Sequence, residues 1–138
     1  MKERQWLAVA VGALGVYLLV HALMAAYALY FATEALRPPV PIDLPYLPEL
    51  RENYPTLVVL CVVVGALSML SLAASVAFYR NSRWAVHLWG AASLGLLVGV
   101  VLAVASKGVV WTHYLFEVAA VSASWWYFLR LRQVGDEG

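Results

Sequence analysis

Four long runs of apolar residues, separated by short charged or proline-rich segments, occupy almost the whole chain. They cover residues 6–31, 56–79, 84–105 and 109–129. Each run is long enough to cross the roughly 30 Å hydrocarbon core of a bilayer, which requires about 20 helical residues. None has the regular polar positions that give a helix of a soluble protein its solvent-facing side. The pattern predicts an all-α integral membrane protein, an antiparallel four-helix transmembrane bundle.

The composition supports the same class. Hydrophobic residues make up 64% of the chain and charged residues 12%, whereas soluble domains average about 45–50% and 25%. With 138 residues and four predicted spans, we expect one domain, residues 1–138. Cys61 is the single cysteine, which excludes a disulfide within the chain and a metal site built from cysteines.

The placement of charge predicts the topology. If the four helices alternate in direction, six cations share one side: Lys2, Arg4, Arg80, Arg83, Arg130 and Arg132. The other side has a mixture of acidic and basic residues. Because cytoplasmic loops are enriched in Lys and Arg, both termini are predicted to be cytoplasmic. We therefore expect a multi-pass protein of the cell (inner or plasma) membrane.

A cleaved signal peptide is the alternative interpretation of the first run. Residues 1–5 resemble a basic leader, and Ala26-Tyr27-Ala28 resembles a cleavage site. The run is longer than the apolar core of a signal peptide, which has about 7–15 residues. We therefore favour a transmembrane helix.

The outer loop at residues 32–55 contains all six prolines of the chain. Proline disfavours helix at the residue before it, so an extended segment is predicted across residues 38–45. A short surface helix after Pro48 and a second span opening at Pro55 are also expected. We interpret the loop as a stiff connector, and a cap or docking loop is the alternative.

Small residues at regular spacing predict how the helices pack. In the third run the stripe consists of Ala91, Gly95, Gly99 and Ala103. The second run has a comparable stripe at Cys61, Gly65, Ser68, Leu72 and Ser75, and the first has Gly12 and Gly15. Small residues let transmembrane helices approach closely. We expect these stripes to pack within the bundle, with dimerisation through Gly95 and Gly99 as the alternative.

Ionisable residues within the spans are the candidate functional residues. At 1.5 Å per residue, Glu117 lies about 12 Å, His113 about 6 Å and His21 about 8 Å below the outer boundary. All three belong to one layer, and Tyr17 is one turn from His21. Since the first and fourth helices are neighbours in a simple bundle, we expect His21 to contact Glu117. His87 lies near the inner boundary, away from this layer.

Three interpretations of this layer are open. A buried polar network fixes helix register, and we favour it because membrane-buried polar residues usually pair with one another. A proton or solute path would use a carboxylate flanked by imidazoles. Haem or metal ligation would use His21 and His113, with or without Glu117. No metal-binding motif supports the last, so we expect neither a metal nor another cofactor.

The sequence contains no recognisable catalytic constellation, phosphate-binding loop or basic-aromatic patch for nucleic acid. We therefore expect a protein that is not an enzyme: an accessory, assembly or envelope protein. Its expected partners are the lipid bilayer and other membrane-protein subunits or a second copy of the chain. A small transporter-like protein is the alternative.

Three segments resemble a family of uncharacterised bacterial four-span inner-membrane proteins, a domain of unknown function. They are residues 15–19 (Gly-Val-Tyr-Leu-Leu), 78–83 (Phe-Tyr-Arg-Asn-Ser-Arg) and 126–129 (Trp-Tyr-Phe-Leu), the last followed by Arg130, Arg132 and Val134. The ending lacks the family's proline, and the tryptophan spacing is shifted by one. The resemblance implies a four-span topology and assigns no activity or site residue.

Overall fold

Apart from residues 36–37 and 80–84, the chain is helical in the part that the structure, a computed structural model, describes. That part comprises residues 2–37, 47–107 and 115–136. It contains four helices: α1 (Lys2–Ala35), α2 (Leu47–Tyr79), α3 (Ala85–Lys107) and α4 (Leu115–Asp136). The predicted all-α class is confirmed.

Three of these helices are long and apolar enough to cross a membrane, judged by length and composition. The qualifying segments are Glu3–Ala35, Arg51–Tyr79 and Ala85–Leu102. They agree with the predicted membrane character of the chain. The predicted fourth span, residues 109–129, begins outside the described residues, and α4 is described only from Leu115.

The predicted outer loop, residues 32–55, is helical at both ends. Helix α1 continues to Ala35, and α2 begins at Leu47 and runs without interruption through Pro55. Pro55 cannot donate a hydrogen bond to the carbonyl four residues earlier, yet α2 continues past it. The side chains of Thr33 and Tyr54, whose hydroxyl oxygens lie 3.0 Å apart, connect these two helix ends. The predicted extended segment lies outside the described residues.

A tight turn joins α2 to α3. Asn81 adopts the left-handed conformation (φ 53°), which asparagine tolerates better than most residues. The amide of Ser82 bonds to the carbonyl of Ala77 (2.8 Å), and the amide of Asn81 bonds to that of Phe78 (3.1 Å). This is the Schellman arrangement that closes many helix C-termini. It reverses the chain within a few residues, as the short charged segment at 80–83 predicts.

Helices α1 and α2 form the most extensive interface, and polar side chains of α2 bond across it to the backbone of α1. The bonds are Ser75 Oγ to the Ala8 carbonyl (2.6 Å), Ser68 Oγ to Gly15 (3.0 Å) and the weaker Cys61 Sγ to Ala22 (4.0 Å). Donors and acceptors both recur every seven residues, in opposite directions. The opposite order of donors and acceptors shows that α1 and α2 run antiparallel. The seven-residue repeat keeps the two helices in contact along their length.

The other two helices complete the packing. Helix α3 contacts α2 and α4, and α4 also contacts α1. The indole Nε1 of Trp125 in α4 donates to Ser93 Oγ in α3 (2.9 Å). Trp89, Leu7 and Val11 are the largest fully buried apolar side chains of the described residues. The most completely buried of the apolar side chains therefore lie toward the end that contains the α2–α3 turn.

Candidate functional site

A tyrosine and a glutamate form a polar contact between α1 and α4. Tyr17 is in the middle of α1, and Glu117 is in the first turn of α4. The Tyr17 hydroxyl donates a hydrogen bond to Glu117 Oε1 across 3.2 Å. The Phe116 ring lies beside that of Tyr17, with centroids 4.8 Å apart. One polar bond therefore joins two otherwise apolar helices at this depth.

The second carboxyl oxygen of Glu117 is buried and has no hydrogen-bond partner among the described residues. If Glu117 is ionised, this oxygen is an acceptor without a donor. If Glu117 is protonated, a hydroxyl here is a donor without an acceptor. A buried polar atom in either condition costs about 1–3 kcal/mol. The carboxyl group can therefore take up a further hydrogen bond or a proton.

His21 lies next to this pair but does not bond to Glu117 in the structure. Its ring is 4.2 Å from the Tyr17 ring, centroid to centroid. Its Nδ1 is 2.9 Å from the Tyr17 carbonyl oxygen. Because a carbonyl oxygen only accepts, the ring donates this bond from Nδ1. Tyr17 thus occupies the position that the sequence analysis expects for His21 as the partner of Glu117.

The remaining histidines do not extend the site within the described residues. His113 lies outside them. His87 is exposed near the opposite end, with its ring 5.8 Å from that of Trp84. No three His, Cys, Asp or Glu side chains group as metal ligands in the part of the chain that is described.

The residues of the predicted small-residue stripe on α3 differ in how closely they pack against other helices. Ala91 is exposed. Gly95 faces α2, where an added Cβ would lie 2.5 Å from Leu67 Cδ2. Gly99 is different, because an added Cβ there would meet no described atom within 4 Å. The side chain of Ala103 lies outside the described set. Close packing of the described stripe is therefore concentrated at Gly95.

Helix α2 also has a glycine without a close described neighbour, Gly65, and it lies at the same depth as Gly99. Gly65 lies 14 residues before Tyr79, and Gly99 lies 14 residues after Ala85. Both are therefore about 21 Å from the turn that joins the helices, at 1.5 Å per residue. An added Cβ at Gly65 also meets nothing within 4 Å among the described residues. We call the surface around Gly99 on α3 the outer glycine face; Gly65 lies between Cys61 and Ser68, on the side of α2 that faces α1.

The outer glycine face is surrounded by exposed apolar side chains. On α3 they include Val98 and Leu102. Apolar exposure is expected for any surface in contact with lipid. Glycines without a close neighbour are more informative, because small residues in transmembrane helices are typical of helix–helix contacts.

Two features of the structure are absent from the sequence analysis. One is the set of bonds from α2 side chains to α1 carbonyls, although the spacing of Cys61, Ser68 and Ser75 contains the signal. The other is the grouping of three arginines around one cavity. Arg4, Arg83 and Arg132 lie around one cavity of about 770 Å³, and their positions at helix ends on one side of the predicted topology indicate that they converge.

Comparison of the chain with protein-family models, curated proteins and solved structures finds no match. The resemblance to the four-span family therefore stays a prediction. What the protein does must be inferred from its own residues.

Proposed function

We propose that the chain is a multi-pass membrane protein, folded as an antiparallel four-helix bundle with both termini in the cytoplasm. Five arginines at one end support this orientation. They are Arg4, Arg80, Arg83, Arg130 and Arg132. Arg4 bonds to Asn81 in the α2–α3 turn (3.4 Å), and Tyr127 in α4 bonds to the Glu3 carbonyl (3.5 Å). These contacts join the three basic segments at one end, which the positive-inside rule assigns to the cytoplasm.

A reporter that is active only outside the cytoplasm tests this orientation. Fused after Gly138, it should be inactive, and inserted between Pro39 and Pro41 it should be active. A reporter that is fluorescent only in the cytoplasm should give the reverse pattern. Extracytoplasmic activity from the Gly138 fusion would contradict the proposed orientation.

Within the membrane, the protein acts as a non-enzymatic accessory or assembly protein that binds a transmembrane helix of a partner. The outer glycine face is the binding surface. The observation that carries this proposal is Gly99 on α3, a glycine among exposed apolar side chains and without a close neighbour in the described structure. The partner is another membrane-protein subunit or a second copy of the chain. Small residues supply the close backbone approach that such an association requires.

Two glycine substitutions on one helix test the proposal. Gly99→Leu should remove a specific partner that co-purifies from native membranes, while the thermal midpoint in detergent stays close to that of the wild type. Gly95→Leu should instead lower the thermal midpoint, because its side chain overlaps Leu67 and overpacking costs about 1–3 kcal/mol. Retention of every specific partner by the Gly99→Leu variant would contradict the proposal.

A transporter-like function is the second candidate, and the observation in its favour is the buried Oε2 of Glu117, which has no hydrogen-bond partner among the described residues. A buried carboxyl group that exchanges a proton is a common element of proton-coupled transport. Glu117→Gln would then abolish proton uptake into vesicles containing the protein. An accessory role is compatible with glutamine, which keeps an acceptor for Tyr17. The third interpretation, haem or metal binding, is tested by the absorbance spectrum and metal content of the purified protein.

A further inference from the structure

A large cavity opens at the end of the molecule where the α2–α3 turn meets the first turn of α1 and the last turns of α4. Its volume is about 770 Å³. Three arginines from different segments line it: Arg4 from α1, Arg83 from the turn and Arg132 from α4. Its apolar lining includes Phe78 and Phe128. The cavity therefore combines positive charge with an apolar wall.

The positive charge of this cavity is largely unbalanced. Glu3 is its one acidic lining residue, and none of the three arginines lies within 4 Å of a described carboxylate. The ion pair found among the described side chains, Arg37 with Glu34, is at the opposite end of α1. Arg130 lies outside the cavity lining, 5.5 Å from the centroid of the Trp126 ring. Arg83 and Arg132, and the donors of Arg4 that do not bond to Asn81, thus face no carboxylate among the described residues.

A second, apolar cavity lies deeper along the same two helices. Its volume is about 310 Å³, and Leu7, Leu14, Ala120 and Ser124 are among its lining residues. At helical spacing, one face of α1 contains Glu3, Leu7 and Leu14. One face of α4 likewise contains Ser124 and Leu131. Both cavities therefore follow the boundary between α1 and α4, the basic one at its end and the apolar one further in.

A buried tryptophan of α3 also borders the apolar cavity. Trp89 lines the cavity and is 1% exposed. Its indole Nε1 is buried and has no acceptor among the described residues. Trp89 lies four residues into α3, about 6 Å deeper than the basic end at 1.5 Å per residue. The ester carbonyls of a phospholipid lie at a similar depth below its phosphate.

We propose that the α1–α4 boundary binds one anionic phospholipid, with its phosphate and headgroup in the arginine-lined cavity. An acyl chain extends into the apolar cavity, past the level of Trp89. Basic pockets between transmembrane helices on the cytoplasmic side bind anionic headgroups. The inference depends on the proposed membrane insertion and orientation but not on a protein partner, because the outer glycine face is a separate surface.

Calorimetric titration of the protein in neutral detergent tests the site. Dihexanoyl phosphatidylglycerol should bind more tightly than dihexanoyl phosphatidylcholine. Each of Arg4→Gln, Arg83→Gln and Arg132→Gln should weaken phosphatidylglycerol binding about fivefold, the effect of one cation near an anionic lipid surface. Glu3→Gln should strengthen it. Arg51→Gln, an equal charge change on an exposed residue at the other end of α2, should leave it unchanged.

The remaining outcomes separate a lipid from a soluble anion. Inorganic phosphate should not compete at equal concentration, and effective competition by it would overturn the lipid assignment. An equal loss from Arg51→Gln, or equal binding of the two lipids, would overturn the site. Thermal unfolding verifies that each variant is folded, and Arg83→Lys should restore binding.

Discussion

Gly15→Leu should produce the largest loss of stability of any single substitution at the α1–α2 interface. An added Cβ at Gly15 would lie 2.9 Å from two side-chain atoms of Leu72 and 3.1 Å from its backbone nitrogen. The leucine side chain can rotate, but the backbone of α2 cannot retreat without lengthening the bond from Ser68 to the Gly15 carbonyl. We expect a loss of about 2–3 kcal/mol, the upper part of the usual range for overpacking.

The matched control is Gly65→Leu on the facing helix. It makes the same change in size and hydrophobicity at a position without a described neighbour within 4 Å. Thermal or denaturant unfolding in detergent should therefore separate the two variants clearly. Equal stability of the Gly15→Leu variant and the wild type would show that α1 and α2 are not in close contact at Gly15.

Glu117→Leu should produce the second large effect, a destabilisation of about 1–3 kcal/mol, because it leaves the Tyr17 hydroxyl without its acceptor. Glu117→Gln keeps an oxygen in that position and should have a stability close to that of the wild type. Tyr17→Phe removes the donor instead. If one hydrogen bond joins the pair, the double variant Tyr17→Phe/Glu117→Leu should lose less stability than the sum of the two single variants.

The same variants distinguish the two candidate functions. In the accessory account, Glu117→Gln retains both the fold and the co-purifying partner. In the transport account, the fold survives and proton uptake is lost, because an amide cannot change its charge. A strongly destabilised Glu117→Gln variant would contradict the hydrogen-bonding role that both accounts give to this residue.

The sequence predicts the helices well because their signal is local. Runs of apolar residues of membrane-spanning length define α1, α2 and α3, and the short charged segment before Trp84 predicts the tight turn. The extension of α2 back to Leu47 is harder to predict from the sequence. Pro48 and Pro55 both indicate an interruption of the helix. The contact between Thr33 and Tyr54, which joins the two helix ends, is a tertiary interaction that a local sequence pattern does not reveal.

The sequence predicts which residues belong to the candidate site but not which of them bond to each other. Depth along each helix places His21, Tyr17 and Glu117 in one layer, and the structure brings the last two within 3.2 Å of each other. Rotation of α1 about its axis decides whether Tyr17 or His21 contacts α4, and one turn of sequence does not encode it. Similarly, the spacing of Ala91, Gly95 and Gly99 defines a stripe but not which of its residues has a neighbour.

Photo-crosslinking in native membranes tests the proposed docking role most directly. A photoreactive amino acid at Val98, on the outer glycine face, should yield one discrete protein adduct, which Gly99→Leu should abolish. The same amino acid at Leu23, an exposed position on α1, should yield only lipid adducts. The adduct's mass will distinguish a second copy of this chain from another subunit. Lipid adducts alone at both positions would contradict the proposal that the protein functions by binding a transmembrane partner.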